Sequence, residues 1–403
     1  MNSGAIKSSV GRCTFIGKFS VLVLTLGLGL YPHQVLANSA DTQFKQYLVN
    51  ICTAYPVPSG WTLTGQNCLD AFAGQPITGT AAVTVSTSLS VNAGSGNASR
   101  RNKGIRELRD EQKEKNEKGA SADGGGWGFL LTPQFGNSNR TETDLENGYQ
   151  SKLNGLVAGL DYRSLDSFVF GATLGHTKDD ATYVNSAGSM KTSNNSLTMY
   201  STWLPSESVS VDGYLGYGKL NFDSNRHVEF GLISGTTSGK TNGHQVMAGL
   251  STSYQKDVGR LNLSPFINLD YIKTSIDGYR ESGTTALEMR YFDRSTISMT
   301  TSLGARLSTS YGYDWGTLSP TTRLATVHEF QNNSKQITNE LVGTPGYGFT
   351  VTTDAPDRNY LNFGFGVSAA FNGGTQLFLD YDKRAQDRLL SSWAVSAGVL
   401  VGF

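Results

Sequence analysis

Ser391–Phe403 runs SSWAVSAGVLVGF, and its alternation decides how the rest of the chain is read. Trp393, Val395, Ala397, Val399, Val401 and Phe403 fall on one face of an extended strand; Ala394, Ser396, Gly398, Leu400 and Gly402 fall on the other. One face is bulky and apolar, the other mostly small. The same period recurs in Leu361, Phe363, Phe365, Val367, Ala369 and Phe371, in Leu156, Ala158, Leu160 and Tyr162, and in Ile297, Met299, Leu303, Ala305 and Leu307. A half-buried strand gives this pattern whether its apolar face meets a core or lipid, so alternation alone leaves the solvent open.

Loop lengths discriminate between the two. Period-two runs predict twelve strands, near 127–135, 150–163, 167–177, 191–204, 207–222, 241–256, 260–274, 294–311, 315–329, 358–371, 375–383 and 391–403. The connections alternate. Long ones are expected at 136–149, 178–190, 223–240, 275–293 and 330–357, with a shorter one at 384–390; the intervening turns are brief. A β-sandwich has no reason to put its long loops at one end, whereas a membrane barrel with an even strand count does. Most runs reach the ~9–11 residues a tilted strand needs to cross hydrocarbon. Aromatics near strand ends, among them Trp127, Tyr162, Trp203, Tyr271, Tyr311, Tyr313, Trp315, Tyr381 and Trp393, suit interfacial girdles.

Composition agrees. Only 16% of residues are charged and 47 of 403 are glycine, against usual values of about 25% and about 7%, which excludes a helical bundle and a charged disordered chain. Residues 1–37 hold Lys7, Arg12 and Lys18 without an acid, then the apolar run Phe19–Leu30 and Val35-Leu36-Ala37. This is the pattern of an export signal cut after Ala37, rather than of an uncleaved anchor. Cys13 precedes the apolar run and leaves with it. Loss of three bases from a balanced 33 against 33 leaves a slightly acidic protein, which gives no case for nucleic acid as a partner.

Residues 38–99 form a short segment with a helical beginning, FKQYLVNICTAYPVPSGW, and a Ser/Thr/Gly-rich continuation that reads as linker, although a stapled mini-domain is possible. Cys52 and Cys68 are expected to form a disulfide, which would stabilise the loop between them by about 3 kcal/mol. No histidine or CxxC spacing between them favours a metal, and no cofactor is expected. Residues 100–118, RRNKGIRELRDEQKEKNEK, carry 13 charges in 19 positions with i,i+4 pairs such as Arg106/Asp110, and form a helix that must stay solvated, as an exposed linker or inside a wet channel.

A signal peptide, a polar helix, the Gly126-Trp127-Gly128 start, twelve strands and a terminal Phe403, in that order, resemble the C-terminal translocator domain of monomeric autotransporters, the type V secretion family, over about residues 100–403. The resemblance implies an all-β fold, a 12-stranded antiparallel transmembrane barrel over 126–403 in the outer membrane of a Gram-negative bacterium, with the 100–118 helix in its lumen. It implies that Arg106, Glu107, Arg109 and Asp110 belong to a pore helix and that Trp393, Val395, Val399, Val401 and Phe403 form the signal read by the barrel-assembly machinery. The implied partners are outer-membrane lipid, that machinery and periplasmic chaperones, for a monomer. Lumen positions such as Asp270 and Asp380 pair with Arg106 or Arg109 in this picture, or are ordinary wet-lumen residues. The chain departs from the family in having only residues 38–99 where a long passenger would stand. It has no GxSxG, no HExxH and no P-loop, so a catalytic role is not expected. The expected function is export or display of the short N-terminal segment. The alternatives are an adhesin acting through its long loops, a solute pore and, more distantly, a hydrolase.

Overall fold

The structure, a computed structural model, describes residues 40–53, 126–164, 167–230, 233–283 and 287–402. The expected leader, Cys68, the charged stretch with Arg106, Glu107, Arg109 and Asp110, and Phe403 lie outside the described residues. The strands are β1 (Gly126–Arg140), β2 (Tyr149–Ser164), β3 (Phe168–Tyr183), β4 (Gly188–Ser206), β5 (Val209–Phe230), β6 (Ile233–Tyr254), the short β7 (Lys256–Val258) and β8 (Leu261–Ile276). Two loop strands follow, β9 (Tyr279–Arg280) and β10 (Met289–Tyr291), then β11 (Arg294–Ser308), the short β12 (Tyr311–Tyr313) and β13 (Gly316–Glu329). The loop strands β14 (Gln336–Leu341) and β15 (Gly348–Thr352) lead to β16 (Asn359–Phe371), β17 (Thr375–Ala385) and β18 (Leu390–Gly402). An α-helix, α1 (Ala40–Thr53), precedes them.

The twelve long strands pair antiparallel with their neighbours, β6 with β8, β8 with β11, β11 with β13 and β13 with β16. β18 pairs with β1 from Gly128↔Gly402 to Arg140↔Leu390, so the sheet closes and has no edge. Closure gives each long strand two hydrogen-bonded neighbours, the condition for crossing hydrocarbon with strands.

The wall is inverted relative to a water-soluble protein. Leu174, Leu197, Met199, Leu215, Leu250, Leu303, Leu324 and Phe365 stand exposed on the outside, while Gln134, Thr173, Asn194, Thr198, Asp212, Gln245, Thr274, Gln376 and Ser396 are buried inside. At the turn end Trp127 packs on Tyr162, Phe168 on Trp203 and Tyr313 on Trp315, with ring centroids 5.1, 6.2 and 5.3 Å apart. Tyr381 and Trp393, 6.4 Å apart, stand on the same outer face nearer the loop end. Tyr271 sits mid-strand instead of in a girdle.

Glycine lets long inward side chains lie flat on this wall. Tyr200 pairs with Gly171 and Gly171 with Asp161, and the Tyr200 hydroxyl crosses the glycine to donate to Asp161 at 3.1 Å. A Cβ at Gly171 would stand 2.3 Å from the ring. Tyr214 crosses Gly249 to reach Asp270 at 2.7 Å in the same way, and Arg323 crosses Gly364 to Asp382. Three times, a long side chain, a glycine and an aspartate occupy one row over three adjacent strands.

The strands continue past the expected loops. Connections expected at 178–190 and 223–240 shrink to 184–187 and 231–232, because β3 to β6 run on as paired hairpins beyond the apolar band. Outside lipid the outward positions are polar, so the apolar alternation stops while the hydrogen-bonded ladder does not. The two longest connections are also structured: β9, β10, β14 and β15 form a second, four-stranded sheet at the loop end, in the order β15-β14-β10-β9.

Candidate functional site: the barrel mouth and the helix docked on it

Phe44, Tyr47, Leu48 and Ile51 recur at i, i+3, i+4 and i+7, a single apolar stripe along α1. All four are buried, and they share a core with Val228, Leu287, Met289, Tyr291, Leu341, Phe349 and Val351. The helix therefore sits on the four-stranded loop sheet, beside its outer strand β15. Phe349 is the anchor, with its ring 5.1 Å from Phe44 and 4.6 Å from Tyr47. The Tyr47 hydroxyl lies 3.1 Å from Thr344 Oγ1, donates to the Tyr347 carbonyl at 2.8 Å and accepts from the Leu341 amide at 3.4 Å. Burial pushes this phenol above its ordinary range, against the hydrogen bonds that hold it down. A 14-residue helix is marginal alone in water, so this seat is what orders it.

The seat rests on a buried ion pair. Arg226, on the extension of β5, donates to Glu281 from Nε at 3.1 Å and from Nη2 at 2.5 Å, and Nη2 also reaches the Leu287 carbonyl at 2.7 Å. Glu281 accepts further from the Met289 amide at 2.9 Å and the Tyr291 hydroxyl at 3.1 Å. Their side chains are 3% and 2% exposed. With so many donors on one carboxylate, the pair fixes the loop containing β9 and β10 to the β5–β6 hairpin.

Ion pairs also tie the remaining loops across the mouth. Arg140 pairs with Glu146 and, at 2.7 Å, with Asp354, which accepts from Thr143 as well. Asp357 takes three hydrogen bonds from Arg388; partial burial raises its carboxyl, but those bonds outweigh it and hold it below the ordinary carboxylate range. Between these loops and the strands lies a cavity of about 360 Å³, bordered by Arg140, Arg294, Lys335, Asp354, Tyr360 and Arg384. Burial lowers the Lys335 ammonium, opposed by Glu329. Among the described residues no cluster of His, Cys, Asp or Glu could hold a metal ion.

The residues singled out in the sequence divide by place. Trp393, Val395, Val399 and Val401 share the outward row of β18 and pair with Asn137, Phe135, Leu131 and Phe129 of β1, so they line the seam that closes the barrel. Asp270 and Asp380 face inward. Cys52 lies in α1, and Cys68 lies outside the described residues. The docking of α1 was only half visible: its helical beginning can be read in the sequence, but its seat comes from loop residues without any period.

A closed twelve-stranded wall, apolar outside and polar inside, defines an outer-membrane β-barrel. The chain matches the autotransporter β-domain family over residues 131–382 and belongs to it, which makes the barrel an outer-membrane translocator and anchor. Its fold is similar to the translocator domain of the autotransporter NalP from Neisseria meningitidis, with a TM-score of 0.55 at 16% identity, over 77% of this chain and 98% of that one. It is similar also to the β-domain of the Bordetella autotransporter Brka, with a TM-score of 0.52 at 18% identity, over 70% of this chain and all of that one. In sequence it is 22% identical to Lipase 1 of Photorhabdus luminescens over 255 residues, covering 62% of this chain and 38% of that protein. It is 29% identical to Esterase EstA of Pseudomonas aeruginosa over 168 residues, covering 40% of this chain and 25% of that one. The chain thus matches well under half the length of these relatives.

Proposed function

We propose that the barrel carries its own N-terminal segment through its lumen and holds the first helix of that segment at the cell surface. One observation carries this reading: α1 is packed on the loop sheet, whereas β1 begins at Gly126, at the opposite, turn end of the wall. The chain joining them, residues 54–125, has to travel the height of the barrel. Outside the wall its backbone would be unsatisfied in hydrocarbon; the lumen instead offers it polar positions such as Gln134, Asp161, Thr173, Asp212 and Gln376. At ~3.3–3.6 Å per extended residue the connection is ample for an apolar band ~25 Å tall.

In this reading Arg106, Glu107, Arg109 and Asp110 pass through the lumen, where Asp270 and Asp380 can meet the arginines. The outward row Trp393, Val395, Val399 and Val401 is what the assembly machinery reads after periplasmic chaperones deliver the chain as a monomer, and a Cys52–Cys68 disulfide staples the exported segment. The lipase and esterase names belong to longer proteins, and the reading gives this chain no hydrolase of its own. Protease shaving of intact cells, followed by mass spectrometry of the released peptides, tests export. Peptides around Trp61 are expected in the supernatant; their protection, while the loop 330–358 is cut, would reject the reading.

A further inference from the structure

The outer face of the wall is not uniform around its circumference. Lys152, Asp180, Lys191, Asp223 and Lys240 are successive cross-strand partners on β2 to β6, so they form one row across five strands. Lys178 stands one rung nearer the turn end, level with Asn154, Ser193, Asn221 and Asn242. Lys219 stands a rung further, level with His176, Asn195 and His244. The next rung is Ala158, Leu174, Leu197, Tyr217 and Val246, where the apolar band begins. A rung is two residues, and with the tilt of the strands each climbs about 5 Å. Counted along its own strand, each lysine therefore stands one to three rungs, about 5–15 Å of strand climb, beyond that apolar rung, on the loop end, which faces outward in such barrels.

Two acids accompany five lysines in these rungs. Lys240 and Asp223 approach to 3.2 Å, but with the lysine side chain 81% exposed the pair is weak and the ammonium stays available. Between the rungs is a recess of about 600 Å³ bordered by Lys178, Lys191 and Lys240, by the acids Asp180 and Asp223, and by Asn221 and Asn242. Ammonium groups on alternate strands of the first row are about 10 Å apart, with Asp180 and Asp223 between them, and the amide and hydroxyl groups of Asn154, Ser193, Asn221 and Asn242 lie one rung nearer the turn end. Beyond β2 the density falls: the outward positions of β16, β17, β18 and β1 hold one lysine, Lys383.

We infer that this patch binds the headgroup of an outer-leaflet glycolipid that carries more than one phosphate. The lysines supply the charge for the phosphates, the Asn and Ser groups meet sugar hydroxyls, and the apolar rung beneath receives the acyl chains. The site fixes which side of the barrel meets such lipids, whatever passes through the lumen. The test is native mass spectrometry of the full-length protein in detergent, titrated with diphosphoryl lipid A, for the wild type, a K178Q/K191Q/K240Q variant and K383Q as control. Folding of each is checked by the heat-dependent shift on a gel. At about fivefold per lysine, the triple variant is expected to lose on the order of 100-fold in affinity, with K383Q unchanged. Wild-type protein should bind fully dephosphorylated lipid A much more weakly and keep its diphosphoryl lipid in excess inorganic phosphate. Equal affinity of the triple variant, equal binding of the dephosphorylated lipid, or displacement by inorganic phosphate would each overturn the inference.

Discussion

The barrel wall and the cap above it are built from one chain under opposite rules. In the wall, Leu215 is 67% exposed and Gln245 is fully buried; in the cap, Leu48, Met289 and Leu341 are fully buried, in an ordinary core closed by a helix on a sheet. The difference lies in the solvent. Lipid sets no premium on hiding leucine but cannot satisfy a backbone or a charge, whereas water reverses both preferences. Wall stability should therefore rest on ladder closure and on the character of the outer face, and cap stability on area buried and on the Arg226–Glu281 pair.

The sharpest way to break this comparison is Glu281→Ala. It leaves Arg226 buried without its carboxylate, which costs about 3–5 kcal/mol. Hydrogen exchange should rise in β9, β10 and α1, while the gel shift of the barrel stays at its wild-type temperature; a barrel that melts with the cap would show that the two are one cooperative unit. Leu215→Lys tests the other side. At an exposed site of a soluble protein this change would be almost neutral, but on the lipid face near mid-height it is expected to destabilise by about 2–4 kcal/mol in a vesicle unfolding titration, leaving exchange in the cap unaltered. A smaller effect is expected for Gly171→Ala. The new methyl would meet the Tyr200 ring, and relieving that overlap costs about 1–3 kcal/mol; it should be much reduced in a Gly171→Ala, Tyr200→Ala double variant.

These regions were also unequally legible in the sequence. All twelve wall strands stood out because lipid imposes a strict period of two, and the ends of β8, β13, β16 and β18 fell within two or three residues of those expected. The polar extensions of β3 to β6 did not. Asp179, Lys191 and Asp223 belong to ladders whose outward side meets water, where no alternation is enforced. The cap was hidden for another reason. Its sheet joins Tyr279–Arg280 to Met289–Tyr291, and Met289–Tyr291 to Gln336–Leu341, residues far apart in sequence and too few per strand to show any period. The helical beginning of the 38–99 segment was legible, but nothing local showed that its residues Phe44, Tyr47, Leu48 and Ile51 would share one apolar seat, or where. The lysine row was likewise invisible, since its members come from five strands and meet only when the register is known.

The rows in which a tyrosine or arginine lies across a glycine have a consequence for anything that moves along the barrel axis. Tyr200, Tyr214 and Arg323 are spread along the inner surface instead of projecting from it, so the bore keeps its clear width at those levels. Their polar tips are also engaged with Asp161, Asp270 and Asp382. In the proposed export, a polypeptide therefore passes Tyr200, Tyr214 and Arg323 with their tips already engaged, which removes three projecting donors from its path.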